Sequence, residues 1–154
     1  ATSHGLLTLP DHPESLDRLV RDPSLMPGAV EEILRWEPPI HHFRRTATTE
    51  VRLGDKTIAE GDKVLMWYAG SNRDPSVFDD PHTFDIDRSP NPQLSFGIGE
   101  HFCLGANLAR LSLRLLFTEL LATVENIRLD APPRRLHSNL INGIKEMRIS
   151  YDVR

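Results

Sequence analysis

Apolar and polar positions follow a helical rhythm near the start of the chain and again from about Leu104, with strands and irregular loops between. "ATSHGLLTL" reads as the end of a helix stopped by Pro10, which lacks an N–H and restricts the residue before it. Asp11-His12-Pro13-Glu14 predicts a second helix start, with Asp11 as N-cap and proline and glutamate in the first turn. Leu16, Leu19 and Val20 give that helix one apolar side, and Pro23 breaks it. A third helix is predicted from about Pro27 to Trp36, closed by Pro38 and Pro39.

The rhythm then shortens. Thr46 to Thr49 and Val51 are β-formers, Gly54-Asp55 and Glu60-Gly61-Asp62 are turn signals, and "KVLMWY" reads as a buried strand. Together they predict a small antiparallel sheet. Residues 69–95 are rich in proline, aspartate and asparagine and predict an irregular connection, with a helical turn near Ala69–Asn72. Phe78, Phe84 and Ile86 should anchor it to a core. Helical spacing returns from Leu104 to Leu121, where Leu108, Leu111, Leu115, Leu116 and Leu120 predict the buried stripe of a core helix. The tail reads as strands, with Asn142-Gly143 as a hairpin turn between "NLI" and "IKEMRISY". The expected class is mainly α with small antiparallel β-sheets.

At 154 residues the chain can bury a real core as one domain. No apolar run is long enough to span a bilayer. A net charge of −4 argues against general nucleic-acid binding, which wants a basic surface. One cysteine excludes an internal disulfide and fits a reducing compartment.

That cysteine changes the picture. Cys103 lies in "FGIGEHFCLG", Phe96 to Gly105, between glycines at 97, 99 and 105 and just ahead of the long predicted helix. Glycines let the backbone approach a bound group closely, a helix start offers unpaired N–H groups, and a thiolate is the form that binds metal. A lone cysteine is otherwise a small buried hydrophobe. Glu32 and Arg35 stand three apart and share a helix face; spacing alone reads as a solvated pair worth a few tenths of a kcal/mol at most. His41 and His42 are adjacent in a strand and so face opposite ways, which disfavours chelation of one metal.

Phe96-Gly97-x-Gly99-x-His101-x-Cys103-x-Gly105 resembles the haem-binding signature of the cytochrome P-450 family, the haem-thiolate monooxygenases. The resemblance implies haem b as cofactor, with Cys103 as axial iron ligand and Phe96, Gly97 and Gly105 shaping the proximal pocket. It implies propionate contacts from Arg45 and His101, and a buried structural triad of Glu32, Arg35 and Arg88 behind the cysteine loop. Only one of Arg44 and Arg45 should reach inward, because neighbours in a strand face opposite ways. Ile40, Phe43, Leu140 and Ile141 match segments that shape the substrate pocket. Arg110 and Arg114 lie on one side of the long helix and read as a solvated face, or, by the resemblance, as candidates for contact with an acidic electron-transfer protein.

Members of that family are more than twice this length, so residues 1–154 are expected to form the C-terminal, haem-binding part of a single domain. The acid–alcohol pair for oxygen activation is expected outside it, and no catalytic residue is assigned. The implied reaction inserts one oxygen atom of O2 into an apolar substrate, with sterols, terpenes and branched lipids suggested by "SNLINGIKEM". Electrons would come from a ferredoxin-type donor and its reductase, in the cytoplasm. A haem-binding or partner-binding fragment without independent activity is the alternative. A nucleophilic Cys103 with His101 or a more distant histidine as base is a further rival. It leaves Glu32, Arg35 and Arg88 without a shared purpose, and His101 is only two residues from the nucleophile, which suits a turn rather than a pre-oriented base.

Overall fold

A computed structural model describes all 154 residues. Helix α1 (Thr2–Thr8) runs into a 3-10 turn, Leu9–Asp11, with Pro10 in its first positions. Asp11 belongs to that turn, so the N-cap of α2 (Pro13–Arg21) is His12, whose Nδ1 lies 2.9 Å from the Thr8 carbonyl. A second 3-10 turn at Pro23 is capped by Asp22, which accepts from the Ser24 N–H at 3.0 Å. Helix α3 (Met26–Trp36) follows at once.

The strands pair in twos. β1 (His42–Thr46) is antiparallel to β4 (Lys63–Trp67), and β2 (Val51–Leu53) to β3 (Lys56–Ile58). Of the β-formers from Thr46 to Thr49, only Thr46 lies in a strand; Thr48 and Thr49 fall in the bend before Val51, which opens β2. "KVLMWY" is an exposed edge strand rather than a buried one. Leu65 and Trp67 are about half exposed, and only Tyr68, the first residue of the short helix α4 (Tyr68–Ser71), is buried. Phe78, Phe84 and Ile86 are all buried; Phe84 and Ile86 pin the irregular segment to the core, and the Phe78 ring centroid lies 5.4 Å from the Arg35 guanidinium.

That core forms where α3 meets α5 (Ala106–Thr123). Ala29, Val30, Ile33 and Leu34 of α3 close on Leu113, Phe117 and Leu121 of α5, joined by Leu19, Phe84 and Ile86. Each large side chain so buried contributes roughly 1.5–3 kcal/mol. Gly28 has a packing role, since a Cβ placed there would lie 2.5 Å from the Ile86 carbonyl oxygen. Backbone cannot yield as a side-chain tip can. Gly28→Ala is therefore expected to lower stability by about 1–3 kcal/mol, read from the midpoint of urea unfolding. An unchanged midpoint would disprove the close approach.

Of the leucine stripe predicted to be buried, only Leu120 packs against the core. Leu108, Leu111, Leu115 and Leu116 are exposed, and α5 instead buries Ala106, Leu113, Phe117 and Leu121. Both sets keep helical spacing, so the helix is apolar nearly all round. Periodicity does not say which side meets α3.

At the C-terminus β5 (Val124–Leu129) pairs with β8 (Ile149–Val153), and β6 (Arg134–Arg135) with β7 (Ile144–Glu146). Asn142-Gly143 thus sits in the loop between β6 and β7, not between "NLI" and "IKEMRISY" as strands. The Leu136 N–H donates to the Gly143 carbonyl at 2.8 Å and closes that loop.

His4 of α1 is 2% exposed, and neither ring nitrogen has a hydrogen-bond partner. Burial, as the largest cause, pushes its pKa from the ordinary 6.5 down to about 4. The unfolded chain therefore binds the proton first as pH falls. The stability present above pH 6.5 is lost progressively as pH drops through the folded value near 4. The expected loss is on the order of 2–3 kcal/mol. His4→Leu should flatten that part of the curve in urea titrations at stepped pH; an unchanged slope would rule His4 out as its source.

Candidate functional site

The cysteine loop is held by backbone geometry. Gly97 and Gly99 have φ of +73° and +72°, in the left-handed region that favours glycine. The Cys103 N–H donates to the Phe96 carbonyl at 2.9 Å, across a 3-10 turn at Gly99–His101. Cys103 itself is exposed. It precedes the first residue of α5, Ala106, whose N–H donates to the Cys103 carbonyl at 3.1 Å. Cys103 therefore sits in the turn before the helix.

Behind the loop lies a buried polar network. Both oxygens of Glu32 accept from Arg35, each at 2.7 Å, and both side chains are fully buried. Arg88 Nε lies 3.3 Å from Glu32, whose carboxylate also accepts from the Asp85 N–H and the Asn91 amide. Arg35 spends its remaining donors on the carbonyls of Asn72, Pro81 and Thr83. Arg88 donates to those of Asp79, Asp80 and Thr83. The solvated surface pair that spacing alone suggests is thus a buried clamp on the irregular segment.

Sequence reasoning misses how that clamp reaches the cysteine loop. Asn72, fully buried, donates to the Arg35 carbonyl and the Ser95 hydroxyl and accepts from the Leu94 N–H. Ser95 in turn donates to the Leu34 carbonyl at 2.6 Å. Nothing local in "SNRDP" marks Asn72; its importance comes from chain segments far away in sequence.

Arg45 and His101 line one cavity of about 660 Å3, together with Gly97 and Ile98. Arg44 does not line it. The Arg45 guanidinium donates to the Arg44 carbonyl at 3.1 Å, which uses one of its five N–H groups. Ile40 bridges to Ile141, and the His41 N–H donates to the Leu140 carbonyl at 2.8 Å, so the β6–β7 loop is tied to the segment after α3. Phe43 is partly exposed and meets Tyr68 edge-on at 6.0 Å. His41 and His42 both stack near Trp67, and no group of residues in the chain has the makings of a metal site built from histidine, cysteine and carboxylates alone.

The sequence profile described as Cytochrome P450 matches residues 15–150. The chain belongs to the cytochrome P450 family. Cytochrome P450 126 of Mycobacterium tuberculosis is 50% identical over 143 residues, covering 93% of this chain and 34% of that protein. The methyl-branched lipid omega-hydroxylase of the same organism is 47% identical over 153 residues, covering 98% of this chain and 36% of its own. The crystal structure of P450BioI with an acyl carrier protein carrying hexadec-9Z-enoic acid superimposes with a TM-score of 0.95 at 38% identity, covering 98% of this chain and 40% of that one. The chain spans about a third of the length of the curated relatives it matches.

Cytochrome P450 proteins bind haem b, and the donor set here fits that group. One exposed thiol stands on a loop that also exposes the apolar side chains of Ile98, Phe102 and Leu104, with Glu100 and His101 between them. A Cβ added at Gly99 would meet nothing within 4 Å, so that side of the loop is open. Two basic side chains, Arg45 and His101, share a cavity beside it. A soft ligand, an apolar face, an arginine and a histidine N–H donor suit an iron porphyrin with two carboxylates. No helix of the chain is long and apolar enough to cross a membrane.

Proposed function

We propose that residues 1–154 are the cysteine-bearing part of a single cytochrome P450 domain, and that the whole protein is a haem-thiolate monooxygenase. The observation that carries this reading is the exposed Cys103 on a loop whose Gly97, Ile98 and His101 line a cavity together with Arg45. In this reading Cys103 ligates the iron, and Arg45 and His101 hold the propionates. Phe96, Gly97 and Gly105 shape the space around the sulfur. Glu32, Arg35 and Arg88 have a structural role and keep the loop's support rigid. Ile40, Phe43, Leu140 and Ile141 border the substrate. The haem, when bound, supplies the oxygen chemistry; the protein supplies ligation, orientation and electrostatics.

The substrate class we favour is an apolar lipid-like molecule. The relative at 47% identity is named for methyl-branched lipids. A ferredoxin-type donor with its reductase is the proposed electron source, and the cytoplasm the proposed location.

The test is a spectrum. The protein is loaded with haem, reduced and exposed to carbon monoxide. Thiolate ligation gives the red-shifted Soret band; an ordinary histidine-like band would defeat the proposal. Fast alkylation of Cys103 by iodoacetamide that blocks ester or amide turnover would favour a nucleophilic cysteine instead.

A further inference from the structure

Arg110 matches a surface that meets a partner, but its guanidinium is already engaged. It pairs with both oxygens of Glu31, and lies 4.6 Å from the centroid of the Phe96 ring. Glu31 also accepts from the Gln93 amide at 3.0 Å, and Gln93 accepts from the Ser95 N–H at 2.7 Å. Burial pushes the Glu31 carboxyl up, but hydrogen bonds from Arg110 and Gln93 outweigh it and hold the group below the ordinary carboxylate range. The carboxylate form, and with it the pair, is therefore present at neutral pH.

Four segments meet at this pair: α3 through Glu31, the irregular segment through Gln93, the cysteine loop through Phe96, and α5 through Arg110. Phe96 is the residue whose carbonyl holds the Cys103 N–H. Its ring is pressed between the core and a cation. Arg114, one turn along α5, is exposed and donates only to the Arg110 carbonyl at 3.3 Å.

We propose that Glu31 and Arg110 are positioning residues that fix Phe96, and through it the backbone at Cys103, relative to the haem. The proposal rests on the haem-thiolate reading of Cys103. It assigns Arg110 an inward role and leaves Arg114 as the free surface cation of the two.

The test uses the full-length protein with Arg110→Gln, Glu31→Gln and Arg114→Gln. Hydrogen exchange at the Cys103 amide is followed without haem. The stability of the thiolate band and the haem reduction potential are followed with it. Arg110→Gln and Glu31→Gln are expected to speed exchange at Cys103 severalfold and to speed conversion of the thiolate band to the ordinary one. Removing the cation should lower the potential and removing the anion should raise it. The potentials report the charges; faster exchange at Cys103 and its loop, with other amides at the parental rate, separates positioning from simple destabilisation. Arg114→Gln should leave exchange at the Cys103 amide at the parental rate. Parental exchange in both Arg110→Gln and Glu31→Gln would overturn the proposal, whatever the haem spectra show. A parent without a thiolate band, but with faster exchange in the variants, would overturn the haem reading and with it the positioning relative to haem.

Discussion

Glu32→Ala is expected to destabilise the protein by about 3–5 kcal/mol, the cost of leaving a buried charge without its partner. Arg35 would remain fully buried with no carboxylate to face. Arg88 would lose its ion pair, and the Asp85 N–H and Asn91 amide would lose their acceptor. Against a typical total stability of about 5–15 kcal/mol, such a loss consumes much of the margin. Glu32→Gln keeps one acceptor oxygen and should cost less. Denaturant midpoints of the two variants and the parent provide the measurement. A loss below about 1 kcal/mol for Glu32→Ala would show that the network relaxes or admits water.

How much of this is legible in the sequence follows from the range of each interaction. Local signals are readable: Pro10, Pro23 and Pro38 bound the first three helices, and the positive φ values of Gly97 and Gly99 fall in the cysteine motif itself. The pairing of Glu32 with Arg35 is visible as spacing, but its burial depends on carbonyls at 72, 81 and 83, which no spacing rule reaches. Asn72 and Ser95 stay hidden for the same reason. The buried face of α5 is ambiguous because leucines lie on both sides of it, and only the position of α3 selects Leu113 and Phe117. Arg110 resembles a surface cation because its partner, Glu31, is 79 positions away.

Cys103→Ala is expected to abolish the thiolate band completely while leaving the fold intact. Alanine retains both backbone hydrogen bonds at this position, to the Phe96 carbonyl and from the Ala106 N–H. The side chain is exposed, so its removal should change stability in the haem-free protein by no more than about 0.5 kcal/mol. The contrast with Glu32→Ala is the informative part: one substitution removes stability and the other removes ligation. Cys103→His should replace the red-shifted band by an ordinary one, because an imidazole is a neutral ligand that donates less charge to iron. Circular dichroism and the carbon monoxide spectrum, measured on the same samples, separate the two effects. A thiolate band that survives in Cys103→Ala would exclude the chain's only cysteine as the iron ligand.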